Sequence, residues 1–235
     1  MCTVTFFNTK EGFILTSNRD EQPKRSAIIL EEKNINQQKF FFPKDEKAGG
    51  TWCAVSEKGN AVILLNGAFT KHEKNKNYRK SRGLIVLEIL EKNNIISAIE
   101  ELDLYLIEPF TLIIFFNKNL VEFRWNGEEK FFRELDFSEK HIWSSSTLYN
   151  TAAKEKRETW FTDFFLDKET NAENILAFHQ NKTNDTENGI MMNRNNLVKT
   201  ISTTQIIISE EIYIKHWEYE NQVTLEKNTK LQHEF

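Results

Sequence analysis

Residues 1–21 read MCTVTFFNTKEGFILTSNRDE. Two short runs rich in β-branched and aromatic residues, CTVTFF (2–7) and GFILTSN (12–18), flank the turn-forming NTKEG (8–12), a pattern that predicts a β-hairpin. With the turn centred near Lys10, the numbers of cross-strand partners sum to about 20, which sets Cys2 opposite Asn18. Arg19 and Asp20 then follow at the end of the return strand, within reach of the start of the chain.

That placement has a chemical reading. Removal of Met1 before the small Cys2 leaves a cysteine whose own α-amine, with a reference pKa of about 7.7–8.0, can take up the thiol proton near neutral pH. A guanidinium nearby favours the thiolate, and a carboxylate can hold and orient the ammonium group. Arg19 and Asp20 are the residue types such a site needs. The same stretch also suits a plain hairpin, in which Cys2 is a small apolar strand residue and NRDE (18–21) a polar turn.

Further along, TWCAVS (51–56) and NAVILLN (60–66) flank EKG and read as a second hairpin. The stretch 78–93, YRKSRGLIVLEILEKN, sets Leu84, Ile85, Leu87 and Leu90 at helical spacings, and NIISAIEELDLY (94–105) continues as another helix. Strands resume at FTLIIFF (110–116), LVEFRW (120–125) and KFFREL (130–135). AAKEKRETWFTDFF (152–165) and AENILAFHQ (172–180) read as helices, NKTNDTENG (181–189) as an exposed loop, and TTQIIIS (203–209) with EIYIKHWEY (211–219) as late strands. Neighbouring strands joined by tight turns, with helices between the groups, predict antiparallel sheets with helices packed outside.

At 235 residues, without repeat, low-complexity block or Pro/Gly/Ser linker, the chain reads as one domain over 1–235. A net charge of -4 supplies no broad basic field, which argues against a nucleic-acid partner. The longest apolar run, 110–116, is strand-sized, so no membrane span is expected; with no secretory signal evident, the expected location is cytoplasmic. Two cysteines make no disulfide framework, and the five histidines stand at no metal-ligand spacing, so no cofactor or metal is expected. Cys53 reads as a buried small residue, Glu21 as a turn residue or one that supports the site from behind, and the basic stretch 71–82 as a solvated loop.

MCT (1–3), SNRDE (17–21), GGTW (49–52), LLN (64–66) and SRG (81–83) together resemble the NRDE family, also called the transport and Golgi organisation protein 2 family. The resemblance continues more softly to about Ile208 through PFTLIIF (109–115), WSSSTLYNT (143–151) and TISTTQIII (200–208). That family is similar to N-terminal nucleophile hydrolases of the choloylglycine hydrolase and penicillin V acylase type. The resemblance therefore implies an α+β fold, a four-layer αββα sandwich of two antiparallel sheets flanked by helices, and cleavage of a linear, non-peptide amide.

On that resemblance Cys2 matches the nucleophile, Arg19 and Asp20 the polar pair beside it, and Asn66 the asparagine that helps bind the tetrahedral oxyanion. Asn66 before Gly67 is also an ordinary turn signal. Ser146 occupies the place of a second oxyanion asparagine, and Ile201 stands where relatives carry an arginine, with Lys199 as a substitute; Asn18, Ser146 and Lys199 are the candidate binding residues. The partner expected is a small-molecule substrate or ligand. Two other functions fit the same chain: a carrier or chaperone of a hydrophobic small molecule such as haem, and a structural or interaction protein.

Overall fold

The computed structural model describes residues 2–73, 77–92 and 94–232, with Cys2 described by its backbone alone. Met1 and the Cys2 side chain, the first residue and nucleophile of the sequence reading, lie outside the described parts.

The opening hairpin pairs β1 (Cys2–Thr9) with β2 (Gly12–Glu21). Its loop is the two residues Lys10 and Glu11, so the hairpin is centred between them and Thr9 faces Gly12. This corrects the expected register by one residue, and Cys2 lies opposite Arg19 while Asn18 faces Thr3. Gly12 takes a φ of +117°, and a Cβ there would run into the Ile208 carbonyl. Only glycine fits this turn without strain.

A short 3-10 turn (Pro23–Arg25) leads from β2 to β3 (Leu30–Ile35) and β4 (Gln38–Pro43), followed by β5 (Cys53–Ser56) and β6 (Ala61–Asn66). Helices α1 (Arg82–Leu90) and α2 (Ile95–Glu101) come next, then β7 (Phe110–Phe116), β8 (Asn119–Trp125), β9 (Lys130–Leu135) and β10 (His141–Ser144). Helices α3 (Thr151–Phe164) and α4 (Ala172–His179) precede the two-residue β11 (Asn193–Arg194), β12 (Val198–Ile208), β13 (Glu211–Glu218) and β14 (Val223–Lys230). Helix α1 starts at Arg82, later than the sequence suggests, because Ser81 caps it by accepting from the Gly83 N–H at 3.3 Å.

All pairings are antiparallel. One sheet runs β10-β1-β2-β12-β13-β14 with β11 on β12; the other is a meander, β3 to β9 in chain order. Val4, Phe6, Leu15, Ile206 and Ile214 of the first sheet share a core with Val55, Ile63, Leu112 and Ile114 of the second and with Ile85 and Ile89 of α1. On the outer face of the first sheet, Phe7 and Ile14 pack against Phe161, Phe165, Ile175 and Phe178 of the α3–α4 region. The layers are therefore α3–α4, sheet, sheet, α1–α2, the expected αββα order. Among the described residues no helix is long and apolar enough to cross a membrane.

Candidate active site

Alternation along β2 sorts its polar end into two groups. Arg19 points between the sheets, where it is 3% exposed. Its guanidinium lies 4.3 Å from the centre of the Trp52 ring, Nη2 donates to Asp45 Oδ2 at 2.7 Å and Nη1 donates to the Arg25 carbonyl. Asp45 also accepts from Arg25 and from the Ala48 N–H at 3.1 Å, and Arg25 bridges back to Glu21 at 2.7 Å. Burial would raise the Glu21 carboxyl, but the Gln22 N–H and the Arg25 and Arg19 guanidinium groups hold it below its ordinary value. A buried ion network thus fixes Arg19.

The loop GGTW supplies the opposite wall. Thr51 N–H donates to the Gly83 carbonyl at 3.1 Å, and a Cβ on Gly83 would stand 2.8 Å from the Thr51 carbonyl oxygen. The two glycine motifs, GGTW and SRG, are therefore two sides of one backbone-to-backbone contact, which docks the start of α1 beside Trp52. Between them lies a cavity of about 80 Å³ whose lining includes Arg19, Glu21, Asp45, Trp52 and Asn66. Among the described residues Trp52 Nε1, buried there, has no hydrogen-bond partner.

Asn18 and Asp20 face the other way, under the helices. Asp20 accepts from the Tyr149 hydroxyl at 2.7 Å and the Thr200 hydroxyl at 2.6 Å. Burial raises its pKa, against the pull of the nearby Arg157, and burial beside Asp20 drives the Tyr149 phenol well above its ordinary value. Arg157 is fully buried, stands 3.8 Å over the Tyr149 ring and donates to the Gly189 carbonyl at 2.8 Å.

Asn18 donates to the carbonyls of His179 and Ile190, which fixes its amide orientation. Its Oδ1 then accepts from Thr203 at 2.8 Å and from His179 Nδ1 at 3.1 Å, leaving His179 Nε2 to accept from Thr5 at 2.8 Å. Burial, with Arg157 adding to it, lowers the His179 pKa to about 3. The expected neighbours Arg19 and Asp20 are thus split: Arg19 belongs to the inter-sheet cavity, Asp20 holds Tyr149, two residues before α3, and Asn18 holds the end of α4.

Asn66 ends β6 at the inter-sheet cavity, and its carbonyl accepts from the Ser145 hydroxyl at 2.8 Å. Ser146 lines a second cavity of about 80 Å³ with Arg124, Trp143, Ser144 and Lys154. Its hydroxyl donates to the Ala68 carbonyl at 2.9 Å and accepts from Lys154 Nζ at 2.8 Å. Lys199 pairs with Glu220 at 2.6 Å and lies outside the lining of both. Ile201 is buried where the β2–β12 register shifts between Thr200 and Ser202.

Sequence reasoning assembled Arg19 and Asn66 but missed Arg25, Asp45 and Trp52. Of these, only Trp52 lies in a motif quoted above, GGTW, and Arg25 and Asp45 carry no local signal. Among the described residues no group of three or more His, Cys, Asp or Glu is placed to hold a metal ion.

The sequence model of the family described as Transport and Golgi organisation 2 matches residues 1–229. No curated protein matches the chain by sequence. Among solved structures it is similar to a Caenorhabditis elegans N-acylethanolamine-hydrolyzing acid amidase ortholog, with TM-score 0.61, 12% identity, 88% of this chain and 92% of that one covered. It is also similar to a variant of the conjugated bile acid hydrolase from Clostridium perfringens, with TM-score 0.57, 11% identity, 100% of this chain and 97% of that one covered. A second variant of that hydrolase gives TM-score 0.58 at 10% identity, with 99% and 97% covered. At such identities the similarity is one of fold.

Proposed function

As the chain belongs to the Transport and Golgi organisation 2 family and has the fold of these amidohydrolases, we propose that it is a cysteine N-terminal nucleophile hydrolase acting on a linear, non-peptide amide. The observation that carries this reading is the inter-sheet cavity that gathers Arg19 and Asn66, together with the register that sets Cys2 opposite Arg19.

In the proposed reaction, loss of Met1 frees the Cys2 α-amine. That amine takes the thiol proton, and the sulfur attacks the amide carbonyl carbon. Electron density moves onto the carbonyl oxygen, where N–H donors stabilise the tetrahedral oxyanion; Asn66 is the donor proposed at the cavity. Collapse breaks the C–N bond, the ammonium proton passes to the leaving amine, and a thioester remains. Water, deprotonated by the same α-amine, then attacks the thioester and returns carboxylate and thiol.

Arg19 favours the thiolate by its fixed positive charge. Asp20, buried on the opposite face, is a positioning residue that holds the end of β2 to Tyr149 and Thr200 of β12.

The test is intact-mass spectrometry before and after brief exposure to a thiol-directed electrophile. Loss of Met1 with rapid single labelling at Cys2, abolished in Cys2→Ala, is expected; the fully buried Cys53 serves as the internal control. Retained Met1 with an unreactive Cys2 removes base and nucleophile together and overturns the reading.

A further inference from the structure

Among the described residues the two sheets end in β10, β14, β3 and β9. Short length and charged side chains are the usual protections of such edges. β10 is four residues long, and β3 and β14 are tied to one another by Lys227 and Glu32 at 3.3 Å. β9 has neither protection. Among the described residues it pairs with β8 alone, and residues 130–134 are all exposed. Two of these are adjacent phenylalanines, Phe131 at 38% and Phe132 at 45% exposure. Phe131 stands edge-on to Phe69 at 5.0 Å and shares its face of the sheet with Arg133. Phe132 lies on the other face with Lys130 and Glu134.

We propose that β9 is a dimerisation edge, which pairs antiparallel with β9 of a second copy of this chain about a two-fold axis through Phe132. The strand's own sequence selects that occupant. A two-fold axis normal to the sheet joins only residues of the same face. Centred on Phe132, it sets Lys130 against Glu134 and Phe131 against Arg133, each twice, and Phe132 against itself. Opposite charges, cation–π contacts and an aromatic pair then fill every position from 130 to 134. Centred on Phe131, the axis would set Glu128 against Glu134, and centred on Arg133 it would set two guanidinium groups against each other. Lys130 is held at the margin by donating to the Ile99 and Glu100 carbonyls at 3.1 and 2.6 Å, which uses two of its three N–H groups and leaves the third for Glu134 of the second copy. A contact of one short strand pair buries less than about 1,200 Å², so the dimer is weak and forms at micromolar concentration.

Sedimentation equilibrium of the full chain from about 5 to about 300 µM should show a monomer–dimer equilibrium. Glu134→Lys turns both Lys–Glu pairs into like charges, and Phe132→Glu sets two carboxylates on the axis. Each should weaken association about tenfold or more. Both positions are exposed, so the fold tolerates the changes.

Hydrogen exchange of the unaltered protein, read by mass spectrometry at both ends of that range, is a second readout that needs no variant. Slower exchange at 130–135 as concentration rises, with no change at 223–230 of the β14 edge, supports the proposal. A chain monomeric throughout, slowing confined to segments other than β9, or wild-type association in Phe132→Glu overturns it. Cys2→Ala should associate as the wild type does, so loss of the hydrolase reading and loss of this one are told apart.

Discussion

Acidification should destabilise this protein through two buried histidines. His179 and His216 are each fully buried and neutral: the former is bonded as described above, and the latter donates from Nε2 to the Ala27 carbonyl at 3.0 Å and accepts at Nδ1 from Thr204 at 2.8 Å. Burial lowers His179 from 6.5 to about 3, with the Arg157 charge adding to it, and lowers His216 from 6.5 to about 4 against the Ala27 bond and Glu218, with Arg19 adding to the fall. A depressed folded-state pKa means that the unfolded chain takes up the proton first. The contribution of each histidine is therefore fully present above pH 6.5 and is lost as the pH falls through the window from 6.5 to 4 or 3.

Each pH unit in that window costs about 1.4 kcal/mol per histidine, so each loses about 2–3 kcal/mol by about pH 4.5. Together that is about 5 kcal/mol, comparable with the whole stability of many domains. Asp20 acts in the opposite sense, because its raised pKa gives stability that is present at low pH and lost as the pH rises, and it offsets part of the total.

The assay is urea unfolding at several pH values from about 7 to about 4.5, in wild type and in His216→Gln, with the m-value checked for constancy. The variant should lose up to about 1.4 kcal/mol per pH unit less than the wild type between about pH 6 and about pH 5. A variant with the wild-type pH slope would refute the reasoning.

Gly83→Ala should cost about 2–3 kcal/mol, because its Cβ meets Thr51 backbone at 2.8 and 2.9 Å and the sheet and helix must part; differential scanning calorimetry should show a drop of about 4–12 °C. Arg19→Leu should lose about 3 kcal/mol in urea unfolding, as a buried partner of Asp45 and Trp52 is removed while Arg25 still holds Asp45; a loss under about 1 kcal/mol would show that the network does not fix the site. Asn66→Ala should lower kcat about 10²–10³-fold, with KM little changed, for any amide the wild type hydrolyses, and unaltered kcat would remove it from the oxyanion site.

Much of the architecture is written locally. Alternating β-branched residues around Lys10 and Glu11 specify the first hairpin, and the helical spacing of Leu84, Ile85, Leu87 and Leu90 specifies α1. The β3–β4 hairpin escaped because its turn is Asn36–Gln37, with positive φ at both, and Gln carries no turn signature. Strand β14, half exposed and polar along VTLEKNTK, shows little apolar signal to read.

The site was legible as residue types and not as an arrangement. From Ser17 to Glu21 every residue of β2 is buried, because one face meets the other sheet and the other meets α3 and α4. A strand buried on both sides has no apolar-polar alternation to tell its faces apart, so nothing local could separate Arg19 from Asp20. A turn centred half a residue later than assumed moved the partner of Cys2 from Asn18 to Arg19. Residues 1–21 alone thus determined a hairpin with a cysteine near its start and a charged end. The tertiary structure decided which of those charges share a cavity, because that depends on long-range packing of β12, residues 49–52 and α1 against a strand that presents polar groups to both sides.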